Sequence, residues 1–339
     1  LDGPRSGGGI ASARGREPTE NPLLRTPFSK TLKTVSSLFT SGRTPWLTAG
    51  LGLVFAATAQ AALYFPAQSG APLFVADLGD DTVTTFAPNG AGAVVQTGLS
   101  TPYGVAFDAV GNLYVANAAA GTIEKFTTGG VRSVFASGLS NPIGLAFDGA
   151  GNLYAANYLD DTISKFTPGG VGSIFALGLS GPEGLAFDAS GNLFAANSVS
   201  GDIVKITPGG VATVFASSGS TGLGGLAFDS AGNLFAASYV DDAIMKFSPG
   251  GSSSIFASGL SSPYGLAFDS AGNLFAANSG DGTIEKFTPG GAESQFANGS
   301  VSPSFFAFGP VSAVPEPGTA LFGLALLGFS SGWRRNRFR

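Results

Sequence analysis

An all-β fold of radially repeated, four-stranded antiparallel blades is what this sequence predicts, and three observations predict it. The motif G-[LV]-A-F-D recurs at Gly104–Asp108, Gly144–Asp148, Gly184–Asp188, Gly225–Asp229 and Gly265–Asp269, with a degenerate copy at Ser304–Gly309. Its Phe falls at 107, 147, 187, 228, 268 and 308, a spacing of 40 residues and once 41. Each period holds four short segments bounded by Gly, Pro, Asn or Asp, the pattern of hairpin-linked strands. A fixed period of this length marks a repeat architecture. Four antiparallel strands per repeat, arranged radially, make a β-propeller.

Along the chain, residues 1–45 come first, polar and rich in Gly, Pro, Ser and Arg, and they read as disordered. The chain does not begin with Met, so residues before about 30 are expected to be a gene-start artefact or a fragment boundary. Residues 46–61 read as a secretory signal peptide: Lys30, Lys33 and Arg43 precede the apolar run Trp46–Ala57, and Ala59-Gln60-Ala61 supplies an A-x-A cleavage site.

The repeats occupy residues 72–309. In one unit, Gly144–Asp148 is followed by a turn at Gly151-Asn152, the segment Leu153–Asn157, a loop, Thr162–Phe166, the turn Pro168-Gly169-Gly170 and Val171–Ala176. Gly151 supplies the positive φ that a tight hairpin needs, and Asp148 can bond its own turn backbone. The second-strand pattern starts at Leu73, Leu113, Leu153, Leu193, Leu234 and Leu274, and the third-strand pattern ends at 86, 126, 166, 206, 247 and 287. Both counts give six blades. The chain enters on a second strand and leaves on a first strand, so Ser304–Phe308 is expected to close the ring beside Leu73–Asp77, three N-terminal strands to one C-terminal strand. Closure removes the unpaired edges of an open stack.

The unit resembles the NHL-repeat propellers: Pro102-Tyr-Gly-Val-Ala-Phe-Asp108 with Gly111-Asn-Leu-Tyr-Val-Ala-Asn117 matches that family's P-x-G-hydrophobic-A-x-D and G-N-hydrophobic-Y-V-A-[DN] segments. The resemblance implies the fold and leaves function open, because such propellers host lyases, lactonases and binding platforms.

Residues 310–339 form the last segment. Pro315-Glu316-Pro317 precedes the apolar, Gly-rich stretch Thr319–Trp333 and then Arg334, Arg335 and Arg337. As a helix the apolar stretch would rise roughly 23 Å, short for the ~30 Å hydrocarbon core of a bilayer. The order Pro-Glu-Pro, short hydrophobic helix, Arg cluster resembles the PEP-CTERM sorting signal of Gram-negative, exopolysaccharide-producing bacteria. That resemblance implies transient inner-membrane insertion, recognition and cleavage by a membrane exosortase, and release to the periplasm, outer surface or extracellular matrix.

Composition removes several kinds of chemistry. The net charge is −5 with 12% charged residues, against a nucleic-acid partner, which needs a clustered basic surface. There is no Cys and no His, hence no disulfide, no thiolate nucleophile and none of the commonest general base and metal ligand. No cofactor is expected. Asp80-Asp81, Asp160-Asp161 and Asp241-Asp242 suit polar turns better than Ca²⁺ sites, since each pair belongs to a separate blade. Asp108, Asp148, Asp188, Asp229 and Asp269 are read as turn caps, and Lys125, Lys165, Lys205, Lys246 and Lys286 as side chains that snorkel between blades or cover an outer strand.

The residue before each first-strand Gly is expected at the rim of the central channel, where propellers usually bind ligands. These residues are Tyr103, Ile143, Glu183, Gly224, Tyr264 and Ser304. Gluconolactonase-like propellers place acidic and Asn metal ligands there, whereas here Glu183 stands alone and makes no Ca²⁺ site. Streptogramin lyases, whose scheme is His-dependent, share the repeat style without sharing this composition. Tyr103, Glu183 and Tyr264, with Asn117, Asn157, Asn197 and Asn278 on adjoining loops, form the candidate binding face, suited to sugar stacking. The reading is a non-enzymatic exported propeller that binds polysaccharide or an envelope protein, or is structural in the envelope or matrix. The alternatives are a lactonase-like or lyase-like enzyme using Glu183, and a protein-docking platform.

Overall fold

The computed structural model describes residues 70–310. The readings of residues 1–45 and 46–61, including Ala59 and Ala61, and the structure of the tail beyond Pro310 lie outside the described residues. The first blade holds β1 (Leu73–Asp77), β2 (Thr82–Phe86) and β3 (Gly92–Gln96). The second holds β4 (Pro102–Phe107), β5 (Leu113–Asn117), β6 (Thr122–Phe126) and β7 (Arg132–Ser137), and the third β8 (Pro142–Phe147), β9 (Leu153–Asn157), β10 (Thr162–Phe166) and β11 (Gly172–Ala176). The fourth holds β12 (Pro182–Phe187), β13 (Leu193–Asn197), β14 (Asp202–Ile206) and β15 (Ala212–Ser217), and the fifth β16 (Leu223–Phe228), β17 (Leu234–Ser238), β18 (Ala243–Phe247) and β19 (Ser253–Ser258). The sixth holds β20 (Pro263–Phe268), β21 (Leu274–Asn278), β22 (Thr283–Phe287) and β23 (Glu293–Ala297), after which β24 (Pro303–Phe308) returns to the first blade in the order β24-β1-β2-β3.

The expected closure is therefore present: β24 pairs antiparallel with β1, Leu73 opposite Phe308. Buried Asp77 accepts hydrogen bonds from the backbone N–H groups of Val301 and Ser302 at 2.8 and 3.1 Å, and the N–H of Gly309 reaches the carbonyl of Pro72 at 2.8 Å. The six first strands touch in succession around the axis, β4, β8, β12, β16, β20, β24 and back to β4. They all start on one face, called here the mouth face, and end on the opposite, turn face.

Every second strand is buried along its whole length, which requires apolar residues on both sides of each sheet. The core is accordingly six clusters, one in each seam between neighbouring blades. In each seam a second-strand aromatic meets the first-strand Phe of the next blade edge to face. The pairs are Phe74–Phe107, Tyr114–Phe147, Tyr154–Phe187, Phe194–Phe228, Phe235–Phe268 and Phe275–Phe308, with centroids 4.8–5.2 Å apart.

The recurring acids are structural. Asp148 Oδ1 accepts the N–H groups of Ala150 and Asn152, and its Oδ2 accepts the Asn152 side-chain amide at 2.7 Å; Asp108, Asp188, Asp229 and Asp269 repeat this. Lys165 lies over the Tyr154 ring, 3.9 Å from Asp148, as Lys125, Lys205 and Lys246 lie in their own blades; Lys286 lies over Phe275. Of the acidic pairs, Asp81, Asp161 and Asp242 adopt positive φ. Each accepts a backbone N–H from the loop entering the next blade, that of Thr101, Gly181 and Ser262, at 2.7–2.8 Å.

The Gly of the repeat motif is fixed by close approach: a Cβ at Gly144 would collide with the carbonyl oxygen of Glu183 on the neighbouring inner strand. Gly149, in the turn, has open space around it. Gly144→Ala is expected to lower unfolding stability by at least about 2 kcal/mol, since only backbone could yield, while Gly149→Ala stays within about 0.5 kcal/mol. Urea denaturation of the two variants measures this, and equal midpoints would remove the close-packing account.

Candidate functional site

The mouth of the central channel is built by a bulge at the start of each first strand. In β4, Pro102 pairs with Asn117 and Val105 with Val115, so Tyr103 and Gly104 share the space of one partner. The same shift recurs in β8, β12, β16, β20 and β24. It brings Tyr103, Ile143, Glu183, Gly224, Tyr264 and Ser304 to equivalent positions around the axis, as expected.

These positions are not equivalent in what they hold. Glu183 is 3% exposed. Tyr264, two blades away, donates its hydroxyl to Glu183 Oε2 at 2.5 Å. The blade between them carries Gly224, where a Cβ would come within 2.9 Å of the Tyr264 carbonyl oxygen. Tyr239, which follows β17, stacks on Tyr264 at 5.3 Å and places its hydroxyl 3.4 Å from Glu183 Oε1. Tyr103 packs against Tyr264 from across the mouth, at 5.9 Å. Burial pushes the Glu183 carboxyl up to about 7, although the hydroxyls of Tyr264, Ser198 and Tyr239 favour its ionised form. Burial, followed by the nearby Glu183 charge, pushes Tyr239 up to about 12 and Tyr264 well above the usual phenol range.

Sequence reading brought Tyr103, Glu183 and Tyr264 together, and the structure places them in one cluster. It does not bring the asparagines there. Asn117, Asn157, Asn197 and Asn278 are the last residues of their second strands, rather than loop residues, and are buried. Asn157 donates to the hydroxyls of Thr162 and Ser164, and Asn278 to Thr283, tying adjacent strands. The residues one position further on had been missed. They are Leu78, Ala118, Tyr158, Ser198, Tyr239 and Ser279, and they alternate between large and small from blade to blade. A column-by-column comparison of repeats would have exposed Tyr158 and Tyr239.

Phe305 was missed as well. It stands where the other repeats have Gly and packs edge to face on Tyr264 at 5.3 Å. Below the mouth the channel is lined by the apolar Val105, Leu145, Leu185, Leu226, Leu266 and Phe306, and the cavity there is about 60 Å³. Among the described residues, no three His, Cys, Asp or Glu side chains converge as a metal site would require.

Comparison with known proteins adds the tail and supports the fold. Residues 313–336 match the PEP-CTERM protein-sorting motif, covering Pro315, Glu316, Pro317, Arg334 and Arg335, and residues 173–206 match the N-terminal model of strictosidine synthase-like proteins. No curated protein matches the chain. Among solved structures, the nidogen/laminin complex aligns at 17% identity and TM-score 0.64, covering 70% of this chain and 97% of that one. Virginiamycin B lyase from Staphylococcus aureus aligns at 17% and 0.53, covering 60% and 73%; a histidine-to-alanine form of that lyase is described as catalytically inactive. A gluconolactonase from Xanthomonas campestris aligns at 16% and 0.55, covering 71% and 89%. At these identities the likeness shows the fold alone. The sorting motif marks an exported, exosortase-processed, cell-surface propeller.

Glu183 gives the mouth a pH signature. The native state holds this proton up to about 7, against 4.5 for an ordinary glutamate. Between those values the native state binds more protons than the unfolded chain, so stability falls as pH rises and then levels off. The loss is on the order of 3 kcal/mol. Glu183→Gln should flatten the pH 5 to pH 8 difference in urea-denaturation stability. An unchanged difference would show that Glu183 is ionised throughout.

Proposed function

We propose that this PEP-CTERM-bearing six-bladed propeller is a non-enzymatic binding or structural component of the cell envelope or exopolysaccharide matrix. One observation carries the reading: the position where a propeller would hold its reactive groups is filled by its own side chains. Glu183 is buried and hydrogen-bonded by Tyr264 and Tyr239, and the narrow channel leaves about 60 Å³, room for water rather than for a substrate. Histidine-dependent chemistry of the kind implied for the lyase has no counterpart here, because the chain contains no His. Partners in this reading are exosortase during processing, and afterwards a polysaccharide or an envelope protein.

A lactonase-like or lyase-like activity is the second reading, and the carboxyl of Glu183 held near pH 7 is what favours it, since such a group suits general acid–base work. Turnover of a lactone or streptogramin that disappears in Glu183→Gln, with the fold intact, would establish it and overturn the non-enzymatic reading.

Expression in an exosortase-competent host, followed by intact-mass analysis of membrane and matrix fractions, tests the processing. The expected product begins after Ala61, lacks the tail beyond the 314–318 region and is found outside the inner membrane. An uncleaved chain that keeps its arginines in the membrane fraction would make it an anchored propeller instead.

A further inference from the structure

We infer that, before processing, the turn face of the propeller lies against the membrane and the Glu183 mouth points away from it. The inference rests on the reading that the tail is held in the bilayer, and adds to it the direction in which the propeller is presented.

The first observation is where the chain leaves the fold. β24 starts at the mouth and ends at Phe308 on the turn face. Pro310 then packs beside Gly111 and Thr128, in the two turns of the second blade on that same face. The sorting motif begins at 313. Three extended residues reach at most about 11 Å, so the motif starts within that distance of Pro310.

Length favours one orientation. From Pro310 to the start of the apolar stretch at Thr319 the chain can span at most about 32 Å. Pro310 already lies beside the turns of the second blade, so the tail would have one or two strand spacings to cross to the rim, about 5–9 Å, if it were to bring the mouth to the bilayer. It would then have to climb the height of a six-residue strand, roughly 20 Å. That path takes up most of the fully extended reach before side-chain thickness is added, and the two prolines in this segment stiffen it further.

The surface so presented is compatible with a bilayer. Its turns carry Val110, Val131, Val171 and Val211, all at least 60% exposed. The turn carboxylates that would be repelled by anionic lipid have lysines at 3.7–4.0 Å in four blades. Exposed aliphatic residues also occur at the mouth face, among them Leu177 and Val199, so apolarity does not choose between the faces. The tether does, by raising the effective concentration of one face at the membrane. The mouth face, with its tyrosines and aliphatic rim, remains free for an envelope or matrix partner.

The absence of Cys allows a clean test. Single-cysteine variants Val131→Cys and Val171→Cys on the turn face, and Leu177→Cys and Val199→Cys on the mouth face, are made in the full chain. Each is labelled with a polar fluorophore in membranes from a host lacking exosortase, and quenching by nitroxide lipids is measured. Several-fold stronger quenching at the turn-face positions is expected, and inserting about 20 flexible residues after Pro310 should abolish the contrast. Equal quenching on both faces, or stronger quenching at the mouth, overturns the orientation. Recovery of the uncleaved full chain from the soluble fraction would overturn the membrane reading of the tail, and fractionation reveals this before any label is attached.

Discussion

The edge-to-face aromatic pair that bridges each blade to the next is the contact on which the rest of the molecule depends. A blade is a sheet with two apolar faces, and alone it would leave both in water. The six seams solve this with one device repeated: an aromatic from a second strand meets a Phe at the end of the next blade's first strand, 4.8–5.2 Å away. Each pair contributes about 0.5–1.5 kcal/mol beyond the area it buries. The ring itself closes where β24 pairs with β1, Leu73 opposite Phe308, joining opposite ends of the repeat array. These pairs use ten of the chain's 29 Phe, and they account for the rigid spacing of the motif, because a seam tolerates no slip in register.

Close packing at the axis constrains the inner strands just as strongly. Gly104, Gly144, Gly184, Gly225 and Gly265 each face backbone of the next inner strand, and no side chain fits between them. The first blade departs from this with Phe305, the residue of its inner strand that meets Tyr264 at the mouth. The repeats were therefore not left identical. Their differences gather at the axis, where Glu183, Gly224 and Tyr264 hold equivalent positions in three successive blades.

The two faces of the propeller consequently have different characters. The turn face is built from one capped hairpin repeated around the ring, with Asp, Asn and Lys satisfying one another. The mouth face is individual, and holds a buried carboxyl among tyrosines contributed by different blades. Chain direction links this asymmetry to the address carried by the tail, since β24, the last strand before it, ends on the turn face.

The sequence by itself determined the blade number, the closure by a C-terminal strand and the turn-capping role of the repeated Asp residues. Period and turn chemistry are local properties, and each is written within a single repeat. It also placed Tyr103, Glu183 and Tyr264 in one ring, because equivalent positions in a closed repeat must lie around one axis. It could not tell that Asn117, Asn157, Asn197 and Asn278 turn inward, since an Asn before a loop reads alike whether it bonds a neighbouring strand or faces water. Nor could it show Tyr239 reaching Glu183, Phe305 packing on Tyr264, or the burial that raises that carboxyl. Those depend on which blades face one another across the channel, and distances across a closed ring exist only once the ring has formed.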